Sequence, residues 1–493
     1  LLVVEGEVMG REELKYLFEP ESIAMIGASN NFAKWGFIIL HNLVMGKYKG
    51  KIYPVNPKEK EILGLPCYPS VKDIPGSVEL AMITIPARDV PKAVEECVEK
   101  RVKGIVVISA GFSELGEEGD LLQRKITETA RRAGIPLVGP NGQGLSCPKH
   151  NFHPWMPIYF PKAGKIGIIS QSGNLLTWLA EGLELYGFGI SKAVSAGNMA
   201  DLDWADYLHY FANDPDTKVI LLYIEGIRDG RAFLDAAYET GRRKPIVVWK
   251  VGRTDAGLRA AKSHTAAMVG EDGIFSAVCE QSGMVRARNM EEAIYLSAAF
   301  VGTPYPKGKR VGIISGGGGP GVIAADECIE QGLTVPGLSE ETISRLKPKL
   351  PSWWVPGNPV DLVAGIGYAG PREVIPILIE SKDVDSLILI GIGWVHGTPD
   401  ISQLSPLADK FDLKKMMEER KAGDLRYCRK IRDMMRNYDF PIIMVSTHIT
   451  RAIDRNYGSL VELLQDEIML YPSIEKAVRA LAGLTHYHLW RAR

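Results

Sequence analysis

The chain has 493 residues, 46% hydrophobic and 24% charged, with 58 Lys and Arg against 59 Asp and Glu, for a formal net charge of −1. That length suits about three domains of roughly 150 residues, each able to bury its own core. The composition argues against disorder, and interleaved charges create no field that would gather nucleic acid or anionic lipid, so a phosphate-bearing ligand must be bound by local groups.

The N-terminal Leu1-Leu-Val-Val4 has no basic flank or cleavage-site pattern, so it does not read as a secretory signal. Residues 20 to 147 alternate apolar β-rich runs (22–26, 51–55, 79–85, 104–109 and 135–138) with helical patterns, which predicts a parallel, doubly wound sheet. In the first turn of this region, Gly27-Ala28-Ser29-Asn30 is read as opening a helix, where backbone N–H groups and the helix dipole favour phosphate. It lacks the full Gly-x-Gly-x-x-Gly. The second strand runs into Pro54-Val-Asn-Pro-Lys58 instead of ending in the acidic residue that an NAD site wants, so Lys58 favours a ribose-phosphate ligand such as NADP or coenzyme A. A surface lysine beside an ordinary turn is the plainer alternative. Ile85-Pro86-Ala-Arg88, Ser109-Ala-Gly-Phe112 and Gly139-Pro-Asn141-Gly142 end later strands at the same carboxyl edge, where open sheets bind ligands.

Residues 151–161, rich in Pro and aromatics, read as a linker. A second βα series starts at Lys165. Its Ser170-Gln171-Ser172-Gly173 precedes an amphipathic helix (Leu175, Leu176, Leu179, Leu183) and makes an anion cradle with Ser172 available as cap. Glu225 ends the strand 219–225, where a carboxylate can fix an imidazole tautomer; pairing with Arg228 or water is the alternative. After the strand 245–250, the small-residue segment 261–270 carries His264, whose imidazole can attack phosphorus and hold a phosphoryl group unless it is simply a solvated loop histidine.

A third series begins at Lys309 and echoes the second: Lys165-Ile-Gly-Ile-Ile-Ser170 against Arg310-Val-Gly-Ile-Ile-Ser315, which indicates internal duplication. Gly316-Gly-Gly318-Gly319-Pro-Gly321 repeats the cradle, with a close-packed helix–strand crossing as the alternative. A charged helical insertion, about 404–423, reads as a solvated arm. The longest apolar run, near 386–393, is too short to span a bilayer, and the six cysteines are isolated without metal-ligand spacing. A cytoplasmic protein with no metal site of its own is expected. The expected boundaries are 1–150, 162–303 and 307–493.

Together Tyr53-Pro-Val-Asn-Pro-Lys58, Ser109-Ala-Gly-Phe112, Gly139-Pro-Asn141, Ser170-Gln-Ser-Gly173, Tyr223-Ile-Glu-Gly226, Ser263-His-Thr265, Gly317-Gly-Gly-Pro-Gly321 and Asn358-Pro-Val-Asp361 resemble the α subunit of the NDP-forming acyl-CoA synthetases, relatives of succinyl-CoA synthetase, over nearly the whole chain. The resemblance implies a Rossmann-like CoA-binding domain followed by two flavodoxin-like ligase domains. It implies interconversion of acyl-CoA, phosphate and ADP with a carboxylic acid, CoA and ATP through an acyl phosphate. It makes His264 the phosphohistidine and Glu225 its stabilising carboxylate. Gln171, Ser172 and Gly173, with Gly318, Gly319 and Gly321, would bind the phosphoryl group. Gly27, Ala28, Ser29, Asn30, Lys58, Pro86, Ser109 and Asn141 would lie along the CoA site. An ATP-grasp β subunit in an α2β2 assembly would carry the nucleotide with Mg2+. A non-catalytic or regulatory CoA-binding protein is one alternative. An NADP-dependent oxidoreductase is another, disfavoured by the incomplete glycine motif. The sequence departs from the family at Gly142, where relatives usually have Cys, and at Ala266, where Gly is commoner. Bulky aromatics at 153–155 and 352–355 suggest an altered choice of acyl group.

Overall fold

A computed structural model describes residues 11–254, 256–257, 272–362, 369–393, 401–455 and 458–493. The chain divides into two compact units: residues up to 184 with 189–293, and residues 185–188 with 294–493.

In the first unit, β1 (Ser22–Ile26), β2 (Lys51–Val55), β3 (Leu80–Ile83), β4 (Gly104–Val107) and β5 (Leu137–Val138) form a parallel sheet in the order β2-β1-β3-β4-β5. β1, β3, β4 and β5 are buried along their whole length, as expected of strands covered by helices on both faces, and so they appear in sequence as unbroken apolar runs. The chain then adds β6 (Leu145–Ser146) to a second sheet built from β7 (Ala163–Ser170), β8 (Ile190–Ser195), β9 (Val219–Ile224), β10 (Ile246–Lys250) and β11 (Val285–Ala287). The order is β11-β10-β9-β7-β8-β6, with only β6 antiparallel. One apolar core runs through both sheets, joining Ile23, Met25 and Leu40 to Ile169, Val194 and Phe211.

The connector expected to be a plain linker belongs to this core. Phe152 and Trp155 are fully buried, Trp155 stacks on Tyr159, and His153 is 3% exposed. Aromatic burial of this size outweighs the absence of periodicity.

The second unit contains β12 (Val311–Ser315), β13 (Val360–Asp361), β14 (Ser386–Ile390), β15 (Ile442–Val445) and β16 (Leu470–Tyr471), in the order β13-β12-β14-β15-β16. Among their parallel strands these three sheets therefore share one pattern: the first lies between the second and the third, which puts a topological switch point at its carboxyl end. The duplication extends to atoms. Ser170 Oγ donates to Ser172 O (2.6 Å) and accepts from Ser172 N (3.2 Å); Ser315 Oγ donates to Gly317 O (2.7 Å) and accepts from Gly317 N (3.4 Å). Of the expected helical arm at 404–423, the part before residue 413 exposes Leu404, Leu407 and Phe411, whereas the rest is the start of a long helix, Leu413–Tyr438, that buries Met417, Tyr427, Cys428 and Ile431.

Candidate functional site

The carboxyl edge of the first sheet and the first helix of the second sheet enclose a cavity of about 510 Å3. Pro86, Ser109 and Asn141 line one side and Gln171, Ser172 and Gly173 the other, so six of the residues expected to bind CoA or phosphate meet in one space. The two groups come from different sheets and are brought together by the shared core.

Ser109 Oγ donates to Ile85 O (2.5 Å), tying β4 to β3 at the cavity edge. Asn141 has φ +62°, a left-handed conformation that Asn tolerates through its short polar side chain, and its N–H donates to Ser109 O (3.0 Å). The helix Gly173–Leu185 begins at the cavity, with Gly173 and Asn174 in its lining, and buries Leu176, Leu179 and Leu183 against the core; a helix start of this kind offers unpaired N–H groups to an anion. A Cβ on Gly173 would lie 2.3 Å from Gln143 Cγ, because Gln143 is laid across this helix start, donating to Asn174 Oδ1 (2.8 Å) and accepting from Thr177 Oγ1 (3.3 Å). Gln171 serves the other direction: its Oε1 accepts from the N–H groups of Glu225 (2.6 Å) and Gly226 (3.0 Å).

Glu225 is 6% exposed at the end of β9. The Tyr223 hydroxyl, pushed well above its ordinary range by burial and by the neighbouring Glu225 carboxylate, donates to that carboxylate. Arg228 instead donates to Ala200 O (3.4 Å). Lys250, the last residue of β10, is buried. Its ammonium donates to Val251 O (3.1 Å) and stands 5.6 Å from the centre of the Phe275 ring, and burial draws its pKa below the ordinary lysine range. His264 and Ala266 lie outside the described residues.

The remaining expected ligands are spread more widely. Gly27-Ala28-Ser29-Asn30 does not open a helix: the helix Trp35–Met45 begins five residues after Asn30, with Lys34 at its N-cap position and no side-chain cap. The close approach sought from a third glycine comes from Gly36, where a Cβ would lie 1.9 Å from Gly27 O. Ser29 is buried and accepts from Asn31 N (3.0 Å). Asn30 is engaged by the hairpin of Glu61–Ile62 and Leu65–Pro66, donating to Glu61 O (3.1 Å) and accepting from Leu63 N (3.1 Å). Lys58 is exposed just beyond β2, its N–H held by Asn56 Oδ1 (2.9 Å). Of this group none lines the cavity, although all border the carboxyl edge of β1 and β2.

In the second unit the helix Gly318–Glu330 begins at Gly318, so Gly318, Gly319 and Gly321 form its first turn. A Cβ on Gly316, Gly317 or Gly319 would meet nothing within 4 Å, so crowding does not demand glycine there, whereas a Cβ on Gly321 would lie 3.0 Å from Pro359 Cβ. The close-crossing explanation thus applies to Gly321 alone. Asn358 is a brace: its Oδ1 accepts from Ile313 N (3.0 Å), and its amide donates to Val311 O (2.8 Å) and Pro336 O (3.0 Å).

The departure at Gly142 has a steric cause. A Cβ there would lie 2.6 Å from Ser195 O, so a Cys could enter only if the end of β8 moved. Cavity residues that sequence reasoning missed include Trp35, Gln143, Met156, Asn174, Gly197 and Asn198. Among the described residues, the acidic group Glu19, Asp214 and Asp216 gathers ligand atoms as a cation site would. It closes on Lys192, whose ammonium sits 3.1 Å from Glu19 and 2.8 Å from Asp214.

Family models place the chain in a class of CoA-dependent ligases. Residues 21–148 match a CoA binding domain, 163–300 a succinyl-CoA ligase like flavodoxin domain, and 311–406 a ligase-CoA domain. The chain is 35% identical to acetate–CoA ligase [ADP-forming] I subunit alpha of Pyrococcus furiosus, over 97% of this chain and 99% of that one. It is 41% identical to the II subunit alpha of the same organism, over 76% and 82%. The dinucleotide forming acetyl-coenzyme A synthetase 1 of Ca. Korarchaeum cryptofilum, solved with phosphate and ADP, superposes with a TM-score of 0.83 at 32% identity, over 97% of each chain. Some matching ligases are longer, and the match spans 54% of acetate–CoA ligase [ADP-forming] I of Archaeoglobus fulgidus. The chain belongs to the family of ADP-forming acyl-CoA ligases, on the side of their α subunits. The ligase reading is thereby supported over the regulatory and oxidoreductase alternatives.

Proposed function

We propose that this chain interconverts acyl-CoA, phosphate and ADP with a carboxylic acid, CoA and ATP, working with an ATP-grasp β subunit in an α2β2 assembly. The observation that carries the reading is the 510 Å3 cavity, where the edge of the CoA-binding sheet faces the amide-rich start of Gly173–Leu185. A phosphate oxygen attacks the thioester carbon in this space; the C–S bond breaks, and the thiolate leaves and takes up a proton. The resulting acyl phosphate is held by helix-end dipoles, which stabilise developing charge without a bulk basic patch. His264 Nε2 then attacks phosphorus and releases the carboxylate. Glu225 is the group that stabilises the imidazolium, and its burial strengthens that interaction. The loop carries the phosphoryl group to the β-phosphate of ADP, with the helix-start amides of Gly318 and Gly319 as the second cradle. Mg2+ travels with the nucleotide on the partner.

We place the protein in the cytoplasm. Among the described residues no helix is long and apolar enough to cross a membrane, and all six cysteines are free.

Co-purified subunits supplied with acyl-CoA and labelled phosphate should acquire acid-labile label on this chain. His264→Asn should abolish the label and lower turnover by at least about a thousandfold. Label that persists in that variant, or none in the wild-type complex, would refute the reading.

A further inference from the structure

One polar network at the cavity wall is left unused by this chemistry. Asn198, in the loop after β8, donates its amide to Glu114 Oε2 (2.7 Å), with Gln123 Oε1 (3.0 Å) and Ser113 Oγ (3.3 Å) also in reach. Its own Oδ1 accepts from Asn141 Nδ2 (3.3 Å). The other Glu114 oxygen, Oε1, is fixed by the N–H groups of Gly111 (2.6 Å) and Phe112 (3.1 Å). Among the described residues Asn141 Oδ1 receives no hydrogen bond, and Asn141 lines the cavity.

The direction of this chain of amides is imposed by chemistry. An ionised carboxylate only accepts, so Asn198 must turn its N–H2 to Glu114 and its oxygen to Asn141. Asn141 must then give its N–H2 to Asn198 and keep its oxygen for the cavity. Glu114 stays ionised at neutral pH: burial works against the charge, but the hydrogen bonds from Asn198, Gly111 and Phe112 prevail and hold its pKa below the usual glutamate value.

We infer that Glu114 and Asn198 are positioning residues that set Asn141 with its carbonyl oxygen toward the cavity, as the acceptor for a hydrogen-bond donor on the thiol-bearing arm of CoA. The donor is the thiol S–H or the amide N–H nearest to it. The inference rests on the ligase reading of the cavity and adds a polarity that the reading does not need.

The relay can be inverted by one atom. In Glu114→Gln the oxygen remains on the Gly111 and Phe112 N–H groups, so the new N–H2 faces Asn198. Asn198 and then Asn141 must flip, which presents a donor to the donor of CoA. Adding Asn198→Asp restores the original direction, because a carboxylate in the middle of the relay accepts from both neighbours. Calorimetry of CoA binding to the full-length chain should show E114Q weakened by about tenfold. N198A, which frees Asn141 to rotate, should lose less, and E114Q/N198D should return to within about threefold of wild type. Repetition with dethio-CoA identifies the donor: if the E114Q penalty vanishes it is the thiol, and if the penalty remains it is the amide. E114Q binding like wild type, or a double variant no better than E114Q, overturns the relay alone. A wild-type chain that binds no CoA overturns the ligase reading of the cavity as well.

Discussion

His153, sealed under the aromatic connector, shares a hydrogen bond between its Nδ1 and Ser146 Oγ (2.9 Å), and burial lowers its pKa to about 4. The folded state therefore excludes a proton that the unfolded chain takes up at its ordinary value of about 6.5. Above that pH the residue adds no pH dependence. As pH falls from about 6.5 to about 4, unfolding gains a proton and stability drops, by about 3 kcal/mol at the acid end. Thermal melts at stepped pH should show this slope, and His153→Gln should flatten it; a slope unchanged in the variant assigns it elsewhere. Lys192 is a second such residue, fully buried against Glu19 and Asp214. Lys192→Met would leave their charges uncompensated and should cost about 3–5 kcal/mol in denaturant unfolding. Neither role could be read from sequence, where a lysine in a strand and a histidine beside prolines look solvent-facing.

At the scale of elements, the strands were legible because covered parallel strands leave continuous apolar runs, and the cradles because serine and glycine cluster where a strand meets a helix. The boundary after β1 was misread. Gly27 and Gly36 are nine positions apart, so their contact matches no fixed motif spacing, and the intervening Ala28–Lys34 loop carries turn residues that also suit a helix start. Gly36→Ala tests the contact: with the Gly27 carbonyl 1.9 Å from the added carbon, the variant should lose about 1–3 kcal/mol, and CoA affinity should fall with the displaced loop. Unchanged melting would mean that the helix yields freely. The cavity itself was half legible. Pro86, Ser109 and Asn141 could be found because strand ends bind ligands, whereas Gln143, Met156 and Asn198 reach the site only through the packing of one sheet on another, which no local pattern encodes.

For the whole molecule, the switch-point order recurs three times, and in the first unit two of those edges combine into one site. No Lys, Arg or His lines the cavity among the described residues. A second carboxylate on the acid would enter there without a counter-charge, so kcat/KM over a panel of acids should favour uncharged tails over dicarboxylates by at least about tenfold. Preference for a dicarboxylate would mean that a cation from outside this lining reaches the pocket. The aromatic connector, by contrast, has Trp155 in the core and brings only Met156 to the cavity, so Trp155→Phe should leave that preference unchanged in the same acid panel.

The antiparallel edge strand β6 of the second sheet has a practical consequence. Because the segment leaving the CoA-binding sheet completes the border of its neighbour, the two modules cannot be excised from one another along the line that family matching draws. A fragment starting at residue 163 would expose the N–H and C=O groups of β8 to any passing chain, and self-association, not a tidy monomer, is what that cut should yield.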